Sequence, residues 1–280
     1  MKKLLVICSL ILSLSSVVSA ATADLNKATV TPQNPQAGDS IQYHSSVTIA
    51  NAGGTTSCSP LPSGLVSWWQ GEGNATDFTG TNNGSLQGGV VFSAGEVGQA
   101  FNLDGSSQYV RVPNSPSLNP SGSFTIDAWI YPTANNGNTI FSKWGDSGDY
   151  GGQRSYSLHL DANNTVNFSV SDDAHQFDGG FQALVSPSNS ITMNAWNHVA
   201  AVYDRGSGQR SIYINGVLTV SRTDTPFAVT VGQADAAIGA WLRSSTGPTS
   251  YFQGLIDEVD FFNRALRIGY PGHLCGWNGR

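Results

Sequence analysis

The chain has 280 residues, of which 32 are Gly and 12 are Pro while only 11% are charged, and this excludes a coiled coil or helical repeat built from Ala, Glu, Lys and Leu. Hydrophobic residues make up 39% and aromatics 10%, enough for a substantial core and too much for wholesale disorder. A formal charge of −6 leaves nucleic acid and anionic membrane surfaces without the clustered Lys and Arg that phosphate binding needs.

In chain order, the first predicted element is an export signal over residues 1–23. Lys2 and Lys3 form a positive start, Leu4 to Leu14 is an apolar run too short to span a bilayer, and small residues follow at Val18-Ser19-Ala20 and Ala21-Thr22-Ala23, so that cleavage after Ala20 or after Ala23 fits. No later stretch is apolar for the roughly 20 residues that a membrane helix needs. The product is expected to be secreted or held at the cell surface, with no membrane insertion. Cys8 belongs to the leader, leaving Cys58 and Cys275 either to pair as a disulfide in an oxidising compartment or to stand as two unrelated thiols.

Residues 24–63 are rich in Pro, Gly, Ser, Thr and Asn and hold one alternating patch, Ser46-Val47-Thr48-Ile49-Ala50. They read as one or two strands and a linker, too short to close a sandwich alone. From Gly64 onward the pattern changes to short β runs between turn signals. Phe124, Ile126, Ala128 and Ile130 alternate; Tyr156, Leu158 and Leu160 do so before an Asp161-Ala162-Asn163-Asn164 turn, with Val166, Phe168 and Val170 after it. Trp196, His198, Ala200 and Val202 form another period-two set, and Ile212 with Ile214 leads into Asn215-Gly216, a strong hairpin signal. Trp68 and Trp69, adjacent on a strand, point to opposite faces, and one of them belongs to the core. The expectation is an all-β, two-sheet antiparallel sandwich or jelly roll.

Two resemblances add to this reading. The segment T-V-T-P-Q-N-P-Q-A-G-D-S-I-Q-Y, Thr29 to Tyr43, resembles the opening of an Ig-like, cell-adhesion-related module of bacterial surface proteins. A longer series is G-L-V-S-W-W-Q-G-E-G-N-A-T-D (Gly64 to Asp77), N-N-G-S-L (Asn82 to Leu86), G-E-V-G-Q-A-F-N-L-D-G-S-S-Q-Y-V (Gly95 to Val110) and F-T-I-D-A-W-I (Phe124 to Ile130). It continues with W-N-H-V-A-A-V-Y-D (Trp196 to Asp204), I-Y-I-N-G (Ile212 to Gly216) and F-Q-G-L-I-D-E-V-D-F-F-N-R-A-L (Phe252 to Leu266). In this order the blocks resemble the laminin-G-like, concanavalin-A-type jelly-roll domains of bacterial secreted proteins, and the resemblance implies one such domain over residues 64–266. That fold hosts lectins, glucanases and adhesive modules alike, so function must be argued from sites.

The resemblance implies a structural calcium at the sandwich rim, with Asp77, Asp104 and Asp257 at the matching positions; calcium favours several oxygens, mostly carboxylates and carbonyls. Along its strand Asp257 is expected to share a face with Leu255, Val259 and Phe261, where a carboxylate needs a partner. The alternative is that Asp104 and Asp257 cap turns and accept backbone hydrogen bonds. For catalysis, laminarinase-like glucanases carry alternating carboxylates on one strand, because a retaining mechanism needs two about 5 Å apart. The nearest match is Glu258-Val259-Asp260-Phe261-Phe262-Asn263, where Phe262 or Asn263 stands in place of the second Glu and no proton donor remains for the leaving group. Gly145-Asp146-Ser147-Gly148 echoes a protease nucleophile motif without the rest of a triad. No two of the five histidines have zinc-ligand spacing, and His198 is expected to be a hydrogen-bonded core residue.

For ligand binding, Trp144, Asp146, Asp149, Tyr150, Asp172, Asp173, His175 and Asp178 gather in and beside long loops, with Gln176 and Phe181. Aromatic faces with carboxylates and amides suit sugar recognition; the plainer alternative is a solvated acidic loop pair. The tail after Leu266 departs from the family: R-I-G-Y-P-G-H-L-C-G-W-N-G, back-translated and shifted by one base, can read A-S-D-I-Q-A-I-Y-V-A-G-T. A frameshift at Arg267 is inferred, making residues 267–280 an aberrant tail and Cys275 an accident of frame. The sequence therefore points to a secreted, non-catalytic, carbohydrate-binding module with structural calcium, its partner a polysaccharide or glycoconjugate. A cell-surface adhesive module that binds a protein is the second reading, and a divergent glucanase-like hydrolase the third.

Overall fold

In the computed structural model the described residues are 61–135, 138–145, 154–172, 183–243 and 247–266. The leader, the Ser46–Ala50 patch, Cys58, Cys275 and the tail from Arg267 lie outside them. The strands are β1 (Leu65–Trp69), β2 (Ser85–Gln87), β3 (Val91–Ala94), β4 (Gln99–Asp104), β5 (Tyr109–Val112), β6 (Phe124–Pro132), β7 (Thr139–Trp144), β8 (Arg154–Asp161) and β9 (Thr165–Val170). There follow β10 (Leu184–Val185), β11 (Asn197–Asp204), β12 (Gln209–Ile214), β13 (Val217–Thr223), β14 (Ala236–Ile238), β15 (Trp241–Arg243), β16 (Gly247–Thr249) and β17 (Gln253–Phe262). The only helical turn among the described residues is a 3₁₀ turn at Pro116–Leu118.

The architecture is an all-β, two-sheet antiparallel jelly-roll sandwich. An eight-stranded sheet runs β13-β12-β11-β6-β17-β4-β3, with β1 also paired to β17, and a seven-stranded sheet runs β10-β9-β8-β7-β14-β5-β2. One edge of β17 is shared: Gln253 to Ile256 pair with β4, and Val259 to Phe262 pair with β1. Asn263 then donates its backbone N–H to the Gly64 carbonyl at 2.8 Å, so the first and last strands of the sandwich end side by side.

The alternation read from the sequence supplies the core. Phe124, Ile126, Ala128 and Ile130 face inward, as do Tyr156, Leu158, Leu160, Val166, Phe168 and Val170. Phe124 lies 5.2 Å from the Tyr156 ring and 5.9 Å from Phe168 on one sheet, and 5.9 Å from Tyr203 and 5.8 Å from Phe261 on its own. The buried Tyr156 hydroxyl donates to the Leu118 carbonyl at 3.0 Å, which removes the cost of placing it there. Of the tryptophan pair, Trp69 is the core member, and its indole N–H bonds the Asn82 carbonyl. The Asn215-Gly216 turn closes the β12–β13 hairpin with φ of 51° and 78°, the left-handed pair that a two-residue turn requires.

One inward set differs from expectation. On β11 the core residues are Val199, Ala201 and Tyr203, while His198, Ala200 and Val202 occupy the opposite parity and face away. Both parities of this strand are apolar, so alternation alone could not choose between them. Replacing the central ring, Phe124→Ala, should cost about 3–5 kcal/mol in chemical denaturation. Val217→Ala, at a side chain 66% exposed, should change stability by less than about 0.5 kcal/mol.

Candidate functional site

The outer face of the eight-stranded sheet is set by a β-bulge in β17. Asp257 lies opposite Trp129 on β6 and the next directly paired residue is Asp260, opposite Asp127, so Glu258 and Val259 together occupy the place of one residue. Glu258 takes a φ of 48°, the left-handed region that a bulge uses and a non-glycine residue seldom adopts. The bulge reverses the parity of the strand: Ile256 faces the core before it, and Val259 and Phe261 do so after it. Asp257 therefore does not share a face with Val259 and Phe261 as the alternation suggested. It lies with Glu258 and Asp260 on the outer side.

These acids are buried there. Asp257 Oδ2 accepts the Val97 N–H at 2.9 Å, while Oδ1 has no hydrogen-bond partner. Burial pushes Asp257 up to about 8. Burial, and then the charge of Asp257, push Glu258 up to about 8 as well, although Trp68 on β1 donates its indole N–H to Glu258 at 2.7 Å. Asp260 is raised well above the ordinary carboxylate value by burial and then by Asp127 beside it. His198 places Nε2 3.7 Å from Asp127 Oδ1, an outer-face ion-pair position and not the core position expected of it.

Beyond Asp127 and Trp129 on β6 comes Tyr131, and its ring meets the edge of Trp196 at 5.6 Å. Both aromatics are half-buried. Beside Tyr131 a cavity of about 430 Å³ opens across β3, β4, β6 and β17, lined by Ser93, Asn102, Asp104, Tyr131, Gln253 and Leu255. An aromatic face next to amide and hydroxyl groups is what a sugar ring needs, one for its C–H patches and the others for its hydroxyls. Sequence reasoning missed this row. The signal was present, because Trp129 and Tyr131 are the outward complement of the inward set Ala128 and Ile130.

The expected metal ligands do not come together, and among the described residues no three Asp, Glu, His or Cys side chains converge as a metal site. Asp77 Oδ1 accepts the N–H groups of Trp68 and Thr79, and its Oδ2 accepts those of Thr81 and Asn82 and the Thr79 hydroxyl. Asp104 caps a turn by accepting the N–H groups of Ser106, Ser107 and Gln108 and both serine hydroxyls. Burial pulls Asp104 upward, but these donors together hold it well below the usual carboxylate range. Asp104 matches the turn-capping alternative, and Asp77 is likewise engaged with local donors.

Of the expected sugar-binding residues, Trp144 is only 3% exposed, under Arg154 and edge-on to Trp241, so it is a packed residue and not an open stacking face. A strand of six consecutive buried residues, β7, draws it in. Asp172 lies just past β9. Asp146, Asp149, Tyr150, Asp173, His175 and Asp178, with Gln176 and Phe181, lie outside the described residues.

Comparison with known proteins bears on the fold. The family model described as concanavalin A-like lectin/glucanases superfamily matches residues 104–267. No curated protein sequence matches the chain. Among solved structures, domain 4 of an extracellular arabinanase from Geobacillus stearothermophilus, in complex with arabinotriose, is similar with TM-score 0.54 and 23% identity over 72% of this chain and 93% of that one. The binding domain of botulinum neurotoxin DC, in complex with SialylT, is similar with TM-score 0.55 and 18% identity over 73% of this chain and 49% of that one. The binding domain of Paraclostridial Mosquitocidal Protein 1 gives TM-score 0.55 and 18% identity over 72% and 49%. The chain thus spans about half the length of the toxin binding domains that it matches.

The raised carboxyls give the folded domain a pH dependence of definite sign. Asp257 and Glu258 hold their protons to about 8 in the folded chain, against about 4 when unfolded, so their contribution is complete below about pH 4 and is lost as pH rises toward 8. In chelator-treated protein the unfolding midpoint should fall between pH 5 and pH 8, and Asp257→Asn should flatten that decline in a thermal scan series.

Proposed function

The chain belongs to the concanavalin A-like lectin/glucanases superfamily, and from that membership we propose that it is a secreted, non-catalytic carbohydrate-binding module. The observation that carries the reading is half-buried Tyr131, which lines the polar groove of Asn102, Asp104 and Gln253 and meets the Trp196 ring edge-on. A glycan lying there would stack on Tyr131 and Trp196 and bond its hydroxyls to the groove amides. The arabinotriose and SialylT complexes named for two structural neighbours support the ligand class. The non-catalytic part rests on access: Glu258 and Asp260 are only 7% and 9% exposed, so neither carboxyl is placed to reach a glycosidic bond. That no helix among the described residues is long and apolar enough to cross a membrane is compatible with export.

Calcium is proposed as the structural cofactor. Glu72 and Asp257 flank the turn from Gly95 to Gly98: a Cβ at Gly95 would stand 2.5 Å from Asp257 Oδ2, and one at Gly98 would overlap the Glu72 carboxylate. The buried, unpartnered Asp257 Oδ1 and the two side-chain-free positions beside these acids fit an oxygen-seeking cation. Asp257 and Glu72 would hold it, and it would supply the positive charge that the site lacks. Of the expected ligands only Asp257 is retained, since the oxygens of Asp77 and Asp104 are already spent on donors.

A cell-surface protein-interaction module is the second reading, favoured by the edge strand β13, where Val217 and Leu218 are 66% and 51% exposed. Glycan-array binding separates the two. Tyr131→Ala or Trp196→Ala should weaken glycan binding by about tenfold or more without lowering the unfolding midpoint greatly; unchanged affinity in both variants would sink the carbohydrate site. Calcium should raise the midpoint by mass action and chelation should lower it, with the response lost in Asp257→Asn.

A further inference from the structure

The groove beside Tyr131 is floored by two parallel rows of outward side chains. Tyr131 on β6 lies opposite Leu255 on β17, Leu255 opposite Asn102 on β4, and Asn102 opposite Val91 on β3. Their chain neighbours Ile130, Ile256, Phe101, Leu103 and Val90 belong to the core, so these four side chains face outward in one row across the strands. The row is aromatic and aliphatic apart from Asn102, whose amide donates to the Ser93 hydroxyl at 2.9 Å. Val91, at its far end, is 52% exposed, and among the described residues β3 is the last strand of this sheet. The row therefore runs out to an open edge.

One outward position further along, about 7 Å away, stand Thr133, Gln253 and Asp104. Gln253 lies opposite Asp104, and Thr133 donates its N–H to the Gln253 carbonyl at 2.9 Å. This second row offers a hydroxyl, an amide and a carboxylate, and all three residues are exposed. An apolar row beside a polar one fits the two surfaces of a sugar chain, its ring C–H patches and its hydroxyl edge. Three steps between strands about 4.8 Å apart make a row of about 14 Å, the length of about three sugar units.

Charge narrows the ligand further. Asp104 accepts hydrogen bonds from three backbone N–H groups and two serine hydroxyls, which favour its ionised form. Among the described residues no Lys, Arg or His lines the groove. A carboxylate or sulfate on the ligand would meet this charge with nothing to offset it. We propose that the two rows bind three or more consecutive sugars of an uncharged, linear glycan, laid across the strands from Tyr131 and passing over the β3 edge. This rests on the carbohydrate-binding reading above and names the ligand as a neutral polymer, as opposed to a single terminal sugar or an acidic glycan.

The test is calorimetric titration of the full chain with arabino-, xylo- and cello-oligosaccharides of one to six units and with oligogalacturonates of the same lengths. In the neutral series that binds, affinity should rise about tenfold or more between two and four units and less than about twofold between four and six. The oligogalacturonates should bind at least about tenfold more weakly. Asn102→Ala, checked for folding by its thermal midpoint, should weaken the tetrasaccharide about fivefold or more and leave the disaccharide unchanged, whereas Tyr131→Ala should weaken both. Affinity that levels off at one or two units, or an acidic series that binds as tightly as the neutral one, would overturn the inference and leave the broader reading standing. So would a tetrasaccharide affinity that Asn102→Ala does not change. If no series binds, the inference falls, and glycan-array binding then decides whether the broader reading stands.

Discussion

Strand β17 pairs with β6 along one edge and with β4 and then β1 along the other, so whatever it does to its own parity is imposed on the centre of the eight-stranded sheet. An unbroken strand that placed Ile256 inward would also place Glu258, Asp260 and Phe262 inward and turn Val259 and Phe261 out. Strain of the Glu258 kind costs about 1–3 kcal/mol. Two aliphatic or aromatic side chains left in water and two carboxyls driven into the core cost well over that. The bulge is thus the cheaper arrangement by a wide margin, and the acids that it turns outward come with it.

The two outer faces of the sandwich differ in kind. On the seven-stranded sheet several outward residues satisfy one another: Ser157 meets His159, Ser169 donates to Asn167, Asn167 donates to Asp161, and Arg111 pairs with Asp235. That face already has its hydrogen bonds. On the eight-stranded sheet the outward residues are aromatics and carboxyls, and the partnerless oxygens of Asp257 and Asp260 lie there. The contrast between the two faces is why the eight-stranded sheet, and not the seven-stranded one, holds the proposed site.

How much of this could be read beforehand depended on where periodicity was intact. The inward sets of β6, β8, β9 and β12 and the Asn215-Gly216 turn were legible, because alternation and turn chemistry agree there. The parity of β11 was not, since Ala200 and Val202 are as apolar as Val199 and Ala201. The register of β17 was not legible either, because a bulge leaves no mark in composition and one inserted position inverts every later side chain. The site suffered most from this. Attention to loops around Trp144 followed residue type, whereas the outer-face aromatics follow from asking what stands opposite each core residue.

The meeting of the first and last strands has a consequence of its own. Asn263 bonds Gly64, and the Arg264 guanidinium donates to the Ser63 carbonyl at 2.6 Å, so the chain enters and leaves the sandwich at one point. A domain with adjoining entry and exit can be spliced into a surface loop of another protein while holding that loop's ends only a few ångströms apart, at little cost to the host. By the same geometry, joining the two ends and reopening the chain at the Asn215-Gly216 turn would keep every strand pairing except the covalent link of that hairpin. In such a sandwich the order in which the strands are made is separable from the shape they reach.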